Sequence, residues 1–482
     1  MNPNSRNGES AKTVLSAQVI EDVCCPVLMI ASPGSGHGKT TLTALLARLH
    51  RNKGRRVQVF KTGPDFLDPM IHECASGQVV FNLDLWMMGE FDIRRMLHRA
   101  ARDNDLIIIE CAMGLFDGQA RNTSADLARL LGVPIVAVID AQGVAQTFGA
   151  IAHGLQTFQQ DLPFGGVIAN NIGSSHHFQL IKQGTPARVP LIAGVPRDKG
   201  LVLPERHLGL VQACELADLD SWLDDGVDIL LNSAISAGIE RLPEAIIFSF
   251  PHLVCSSFND AGIIGEARPL TGQRIAVARD TAFGFIYQAN LELLSTLGAE
   301  LCFFSPLGNQ AVPDCDGVWL PGGYPELFAD QLSSSRLTQS TLKALVDNNT
   351  PVLAECGGML FLLEELTTID GLTHAMCGFV PAKARMKPRF QGLGLQTMRW
   401  PEGELRGHTF HHSEMLLSED AVNGAVDGAS NGDQALEPIA HAIRQRDRTL
   451  GEALFQVGSI RCSYFHAYFP SNREAIARFF CP

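Results

Sequence analysis

From Pro26 onward, short apolar runs alternate with stretches whose apolar residues recur at helical spacing. "PVLMIAS" at 26–32 reads as a buried strand, and "KTTLTALLARLHRNKG" as the amphipathic helix after it. "RVQVFKTGPDF", "DLIIIECAMG", "VPIVAVIDA", "FGGVIANNIG" and "VPLIAGVPRD" read as further strands. Strand and helix in alternation predict a doubly wound parallel sheet with helices on both faces. In such sheets ligands bind at the turns beyond the strand C-termini.

The rhythm breaks over 254–273, "VCSSFNDAGIIGEARPLTGQ", which reads as a linker. A second α/β series starts at "RIAVARD" and runs through "GAELCFFSPL", "CDGVWLPGG" and "TPVLAEC". "GLGLQTMRW", "GELRGHTFHHSEM" and "IRCSYFHAYFP" read as antiparallel strands, and the polar, Gly-rich 418–438 as a surface loop. The expected organisation is a disordered tail at 1–25, a first domain at 26–253, the linker, and a second domain at 274–482. The chain length of 482 residues suits two domains.

Composition narrows the class. Hydrophobic residues make up 46% and charged residues 18%, a globular balance. A net charge of −13 argues against a nucleic-acid scaffold, but not against a local basic pocket for anionic small molecules. The 12 cysteines are scattered and form no CxxC pair, so a disulfide framework or metal ribbon is disfavoured and a reducing, cytoplasmic setting is expected. The N-terminal stretch has no apolar signal core, and no apolar run reaches membrane-spanning length.

"SPGSGHGKTT" at 32–41 stands between a strand and a helix, the context of a phosphate loop. Gly34, Gly36 and Gly38 let backbone N–H groups approach phosphate oxygens, with Thr41 completing the nucleotide-binding run. Lys39 supplies a point charge and Thr40 a hydroxyl for Mg²⁺. Pro33 stands where the common spacing has glycine, so the loop is a variant; the alternative is a Gly-rich turn that carries a lysine. Carboxylates for a metal–nucleotide site are Glu110, at the end of "LIIIE", Asp65 and Asp68 in "GPDFLDP", and Asp117 in "MGLFDG". Caps and Asx turns would explain the aspartates equally well. Glu110 resists that explanation, since a charge ending an apolar strand is costly unless paired.

"VLAECGGMLFL" places Cys356 at a strand–turn–helix junction. That geometry exposes a nucleophile and aims nearby N–H groups at a developing oxyanion. Gly357 removes bulk beside it, and the helix beginning there is expected to lower the thiol pKa. Gly323 in "LPGGYPE" offers a second oxyanion N–H. His466 in "YFHAYFP" is the expected base, ahead of His408, His411 and His412, which also read as strand-surface histidines.

These stretches, with "GVPRDKGLVLPERHLGL" and "FGFIYQANLELLSTLGAELCFFSPL", resemble the cobyrinic acid a,c-diamide synthase family over nearly the whole chain from Pro26. The resemblance implies an ATP-dependent domain similar to dethiobiotin synthetase and a glutaminase similar to class I amidotransferases. It implies amidation of the a and c acetates of cobyrinic or hydrogenobyrinic acid in cobalamin biosynthesis, with ATP, glutamine and Mg²⁺. Cys356 and His466 fall on the glutaminase nucleophile and its partner, Lys39 and Thr40 on the nucleotide loop, and Asp65, Glu110 and Asp117 on the acidic positions of the synthetase site. Class I glutaminases place a Glu two residues after the histidine; here Tyr468 stands there, so a Cys–His dyad is expected. The polycarboxylate substrate calls for a cationic surface, for which Lys61, Arg197, Lys199 and Arg206 are candidates. A homodimer is compatible with the fold.

Cobyric acid synthase and the nickel-sirohydrochlorin a,c-diamide synthases share this organisation, and "PERHLGL" favours the a,c enzymes. A partition-type ATPase switch carrying a dead amidotransferase fold is the reading from a different class. It predicts loss of Cys356 or His466, and both are present.

Overall fold

The structure, a computed structural model, describes residues 18–118, 122–203, 218–253, 268–417 and 436–481. The first sheet comprises β1 (Gln18–Ala31), β2 (Val57–Thr62), β3 (Phe81–Leu83), β4 (Leu106–Glu110), β5 (Ile135–Asp140), β6 (Phe164–Ile172), β7 (Leu191–Pro196) and β8 (Ala245–Leu253). Its order is β3-β2-β4-β1-β5-β6-β7, all parallel, with β8 antiparallel to the first half of β1. The expected tail at 1–25 is thereby corrected, because Gln18–Cys25 belong to β1 and pair with β8. Residues 1–17, 254–267 of the expected linker, 418–435 of the expected loop and the "PERHLGL" stretch lie outside the described residues.

Strand β4 is buried at every position, as expected of a central parallel strand covered on both faces. The phosphate loop joins β1 to α1 (Lys39–Asn52), and the 63–66 turn joins β2 to α2 (Leu67–Ser76). Parallel register sets Ile30 and Lys61 on either side of Glu110, so the three C-terminal ends converge.

The second sheet has ten strands: β9 (Arg274–Ala278), β10 (Glu300–Phe304), β11 (Gly317–Leu320), β12 (Val352–Glu355), β16 (Gly392–Trp400), β17 (Gly403–His411), β19 (Pro438–Arg444), β20 (Leu450–Val457), β21 (Ile460–Ser463) and β22 (His466–Ala467). The remaining strands, β13 (Leu363–Thr367), β14 (Thr373–Ala375), β15 (Val380–Met386) and β18 (Ser413–Leu417), form a small third sheet. Strands β9 to β12 and β21 run parallel, and the others extend the sheet antiparallel.

The domains meet through an apolar cluster of Phe66, Leu67 and Met87 against Phe285, Tyr287 and Tyr468. Phe66 is 8% exposed, and burying such a ring is worth roughly 1.5–3 kcal/mol. Arg406 closes the rim, donating to the Trp86 carbonyl at 2.7 Å.

Candidate active sites at the domain interface

The first site is built on the phosphate loop. Gly38 takes a left-handed conformation, φ 90°, as the loop enters α1. The Lys39 ammonium folds back on the loop, donating to Ser32 Oγ at 2.7 Å and to the Gly34 carbonyl at 3.0 Å. Burial lowers its pKa. Thr40 Oγ1 donates to Glu110 Oε1 at 2.8 Å and to Asp68 Oδ2 at 3.2 Å. Thr41 follows in the first turn of α1.

Lys61 lies at the centre of the acidic cluster. Its ammonium meets Glu110 Oε1 at 2.9 Å, Asp65 at 3.7 Å and, in a short contact, Asp68. Despite the burial, Asp68 and Glu110 hold its pKa well above the ordinary lysine value. Lys61 is thus a buried, neutralised cation and not part of an open cationic surface for the substrate. Arg197 and Lys199 are exposed, and Arg206 lies outside the described residues.

Glu110 is fully buried, and Lys61 and His72 hold its carboxyl well below the usual range against the cost of burial. His72, on α2, bonds the second Glu110 oxygen. Burial and the neighbouring Asp68 push Asp65 up to about 6. Asp65 Oδ1 also accepts from the N–H groups of Leu67 and Asp68, capping the start of α2. Asp117 stands apart from these contacts and accepts from the Gly114 N–H at 2.8 Å within its own turn. That turn packs on the phosphate loop, where Leu115 N–H donates to the Ser32 carbonyl at 2.9 Å.

The donor set fits Mg²⁺. Thr40, Asp65 and Glu110 present hydroxyl and carboxylate oxygens, the hard donors it prefers, and Asp68 stands beside them. No cluster of three or more His, Cys, Asp or Glu residues forms a metal cage among the described residues. Mg²⁺ needs none, since it is commonly held by one or two carboxylates with phosphates and waters.

The second site lies where β11 and β12 end and β22 begins. Cys356 adopts φ 44° and ψ −105°, a strained conformation for a residue with a side chain, between β12 and the short helix Gly357–Leu362. A Cβ on Gly357 would lie 2.9 Å from the Gly323 nitrogen, so that N–H stands beside the elbow. A Cβ on Gly322 would come within 2.2 Å of His466 Cε1, which sets the imidazole against the same turn.

The electrostatics correct the expected thiol. Burial, and then Glu326, push the Cys356 pKa up, not down. A six-residue helix start does not outweigh the burial of the thiol, to which the neighbouring Glu326 adds. Burial raises Glu326 itself to about 7. The thiol donates a long hydrogen bond to the Phe410 carbonyl, at 3.9 Å.

The His466 ring nitrogens have no hydrogen-bond partner among the described residues. Both nitrogens of His411 are engaged, by the Ser413 carbonyl at 2.8 Å and Glu452 at 3.3 Å. His466 is therefore the freer base. His408 is not a surface histidine: it is 2% exposed, pairs with His466 across β17 and β22, and stacks on its ring at 4.9 Å. Its Nδ1 meets the Tyr287 hydroxyl at 2.8 Å.

Burial brings the His408 pKa down to about 3, and burial with His408 and His411 holds His466 well below the usual value. Folded, both rings stay neutral; unfolded, each takes up a proton below about pH 6.5. The unfolded state then binds more protons, so these groups cost stability progressively as pH falls below about 6.5. His408→Gln is expected to flatten the fall in melting temperature between pH 7.5 and pH 5.5. A slope equal to that of the original chain would contradict this.

The two sites touch. Phe66, between Asp65 and Asp68, packs on the His466 and His408 rings at 5.3 Å each and stacks on Phe285 at 5.1 Å. A cleft of about 320 Å³ runs beside this contact, with Asp65, Phe66 and Glu73 on one wall and Arg279, Asp280 and Gln288 on the other. Sequence reasoning missed Phe66, His72, Glu355 and Glu452. Two of them left a signal: His72 lies one helical turn beyond Asp68, and Glu355 is a charge ending the apolar strand β12.

Two family models match: a CobQ/CobB/MinD/ParA nucleotide binding domain at residues 28–211 and a CobB/CobQ-like glutamine amidotransferase domain at 274–474. A hydrogenobyrinate a,c-diamide synthase of Pseudomonas aeruginosa is 48% identical over 95% of this chain and 98% of its own. One of Stutzerimonas stutzeri is also 48% identical, over 95% and 99%. A cobyrinate a,c-diamide synthase of Herminiimonas arsenicoxydans is 42% identical over 95% and 97%. No helix among the described residues is long and apolar enough to cross a membrane. With a nucleotide-binding domain and a glutamine amidotransferase domain in one chain, and relatives matched over 95% of it, the chain belongs to the a,c-diamide synthase family of glutamine-dependent amidotransferases.

Proposed function

We propose that this protein amidates the a and c acetate carboxylates of hydrogenobyrinate or cobyrinate, using ATP and glutamine. The observation that carries the reading is the Phe66 contact, which joins the acidic loop of one site to the base of the other.

A carboxylate resists amidation because oxide is a poor leaving group. In the first site a substrate carboxylate oxygen attacks the terminal phosphorus of ATP, ADP leaves, and an acyl phosphate forms. Lys39 leaves its loop partners to meet the phosphates, and the loop N–H groups from Gly34 to Thr41 cradle them. Thr40 and Glu110, with Asp65, would hold Mg²⁺, which when bound offsets phosphate charge. Asp68 and Lys61 fix that cluster, and Asp117 shapes the turn against the loop.

In the second site Cys356 Sγ attacks the glutamine amide carbon as His466 takes the thiol proton. The N–H groups of Gly323 and Gly357 receive the oxyanion. His466 returns the proton to the departing ammonia, and water releases glutamate from the thioester. Ammonia is mostly protonated in neutral water, so release beside Phe66 keeps it nucleophilic on its way to the acyl phosphate. It displaces phosphate and leaves the amide.

The test is product mass. Protein with glutamine, ATP and Mg²⁺ should convert hydrogenobyrinate, cobyrinate or both, in parallel tubes, to the a,c-diamide. No mass change in either, with ATP still consumed, would contradict the substrate assignment.

A further inference from the structure

The glutaminase groups come from three strands far apart in sequence: β11 leads to Gly323, β12 to Cys356, and β22 begins with His466. One carboxyl touches all three. Glu355 ends β12 and is 3% exposed. Its Oε1 accepts the Ala467 N–H at 2.8 Å, and its Oε2 accepts the indole N–H of Trp319, on β11, at 2.9 Å.

The far side of the same segment is also fixed. Asn290 Nδ2 donates to the Ala467 carbonyl at 2.8 Å, and its Oδ1 accepts the Phe469 N–H at 2.8 Å. The imidazole has no such anchor, since neither ring nitrogen of His466 has a partner among the described residues. Tyr468 meets the Tyr287 ring edge-on at 5.6 Å. The base is therefore aimed through its backbone.

We propose that Glu355 is the positioning residue of the glutaminase site, setting His466 through the Ala467 N–H and the Gly323 turn through Trp319. The proposal rests on the glutaminase reading above. Two N–H donors converge on the carboxyl, an arrangement that an acceptor at both oxygens satisfies. A buried carboxyl is costly unless bonded in this way, and an apolar residue would fill the same space at less cost. Glu355 thus does indirectly what a ring-bonded carboxylate does in a triad: it fixes where the imidazole stands relative to the thiol.

The test is Glu355→Gln in the full chain. Glutamine keeps the shape but offers one acceptor, and its NH₂ group would face an N–H donor. The glutamine-dependent kcat is expected to fall about 10- to 100-fold, the scale of a small misplacement of reacting groups. The KM for glutamine and the synthesis rate from ammonium should each stay within about twofold, a split that general loss of structure would not produce.

An unchanged glutamine-dependent kcat would overturn the proposal. So would a rise in KM alone, or an equal fall with both nitrogen sources. Should Glu355→Gln fail to fold, Trp319→Phe removes one of the two bonds; it should lower glutamine-dependent kcat and spare ammonium use, and an unaffected kcat would overturn the proposal. An original chain that hydrolyses no glutamine would instead sink the glutaminase reading itself.

Discussion

Cys356→Ala is expected to lose glutamine-dependent synthesis by about 10³-fold or more, the scale of removing an attacking nucleophile. Synthesis from high ammonium should persist, because the proposed acyl phosphate would form in the other domain. The substitution removes only the sulfur from an already strained elbow, whose backbone is held by the Cys356 N–H donating to the Ser463 carbonyl at 2.7 Å. The check is to run both nitrogen sources side by side. Retained glutamine use would remove Cys356 from the mechanism, and loss of both activities would mean that the elbow supports the fold of the whole chain.

Lys39→Ala should give the complementary pattern. Synthesis is expected to fall about 10²- to 10³-fold with either nitrogen source, the usual cost of losing one preorganised charge at a reacting centre. Glutamine hydrolysis at Cys356 should continue, so glutamate is released without product. In the resting protein the ammonium donates to Ser32 and Gly34 of its own loop, so its removal breaks none of the hydrogen bonds that join Lys61, Asp68 and Glu110. Glutamate release and ADP formation in one reaction separate the outcomes. Unchanged ADP formation would contradict the role given to Lys39.

The two chemistries were legible because each depends on local sequence. A phosphate loop needs glycines and a lysine within one strand–helix turn, and a nucleophile elbow needs its cysteine and glycines in a row. Glu110 was legible for a different reason: a charge ending "LIIIE" demands partners, and the structure supplies Lys61, His72 and the Thr40 hydroxyl.

What escaped was tertiary. Lys61 reads as a surface cation until parallel register sets it against Glu110. The thiol pKa depends on burial and on Glu326, neither of which a strand–turn–helix pattern reveals. Phe66 is one aromatic residue between two aspartates, and only the docking of the domains brings it to His466. Glu355 sits beside the nucleophile in sequence, yet its partners lie 36 and 112 residues away.

In the proposed mechanism one chain makes the electrophile and the nucleophile and passes ammonia between adjoining sites. The most direct measurement is the mass of the diamide formed from amide-¹⁵N glutamine in the presence of excess unlabelled ammonium, with ATP and Mg²⁺. Direct transfer predicts a diamide carrying ¹⁵N at both new amides, little diluted by the ammonium. A diamide carrying mainly unlabelled nitrogen would show that ammonia equilibrates with the solvent and would contradict direct transfer past Phe66.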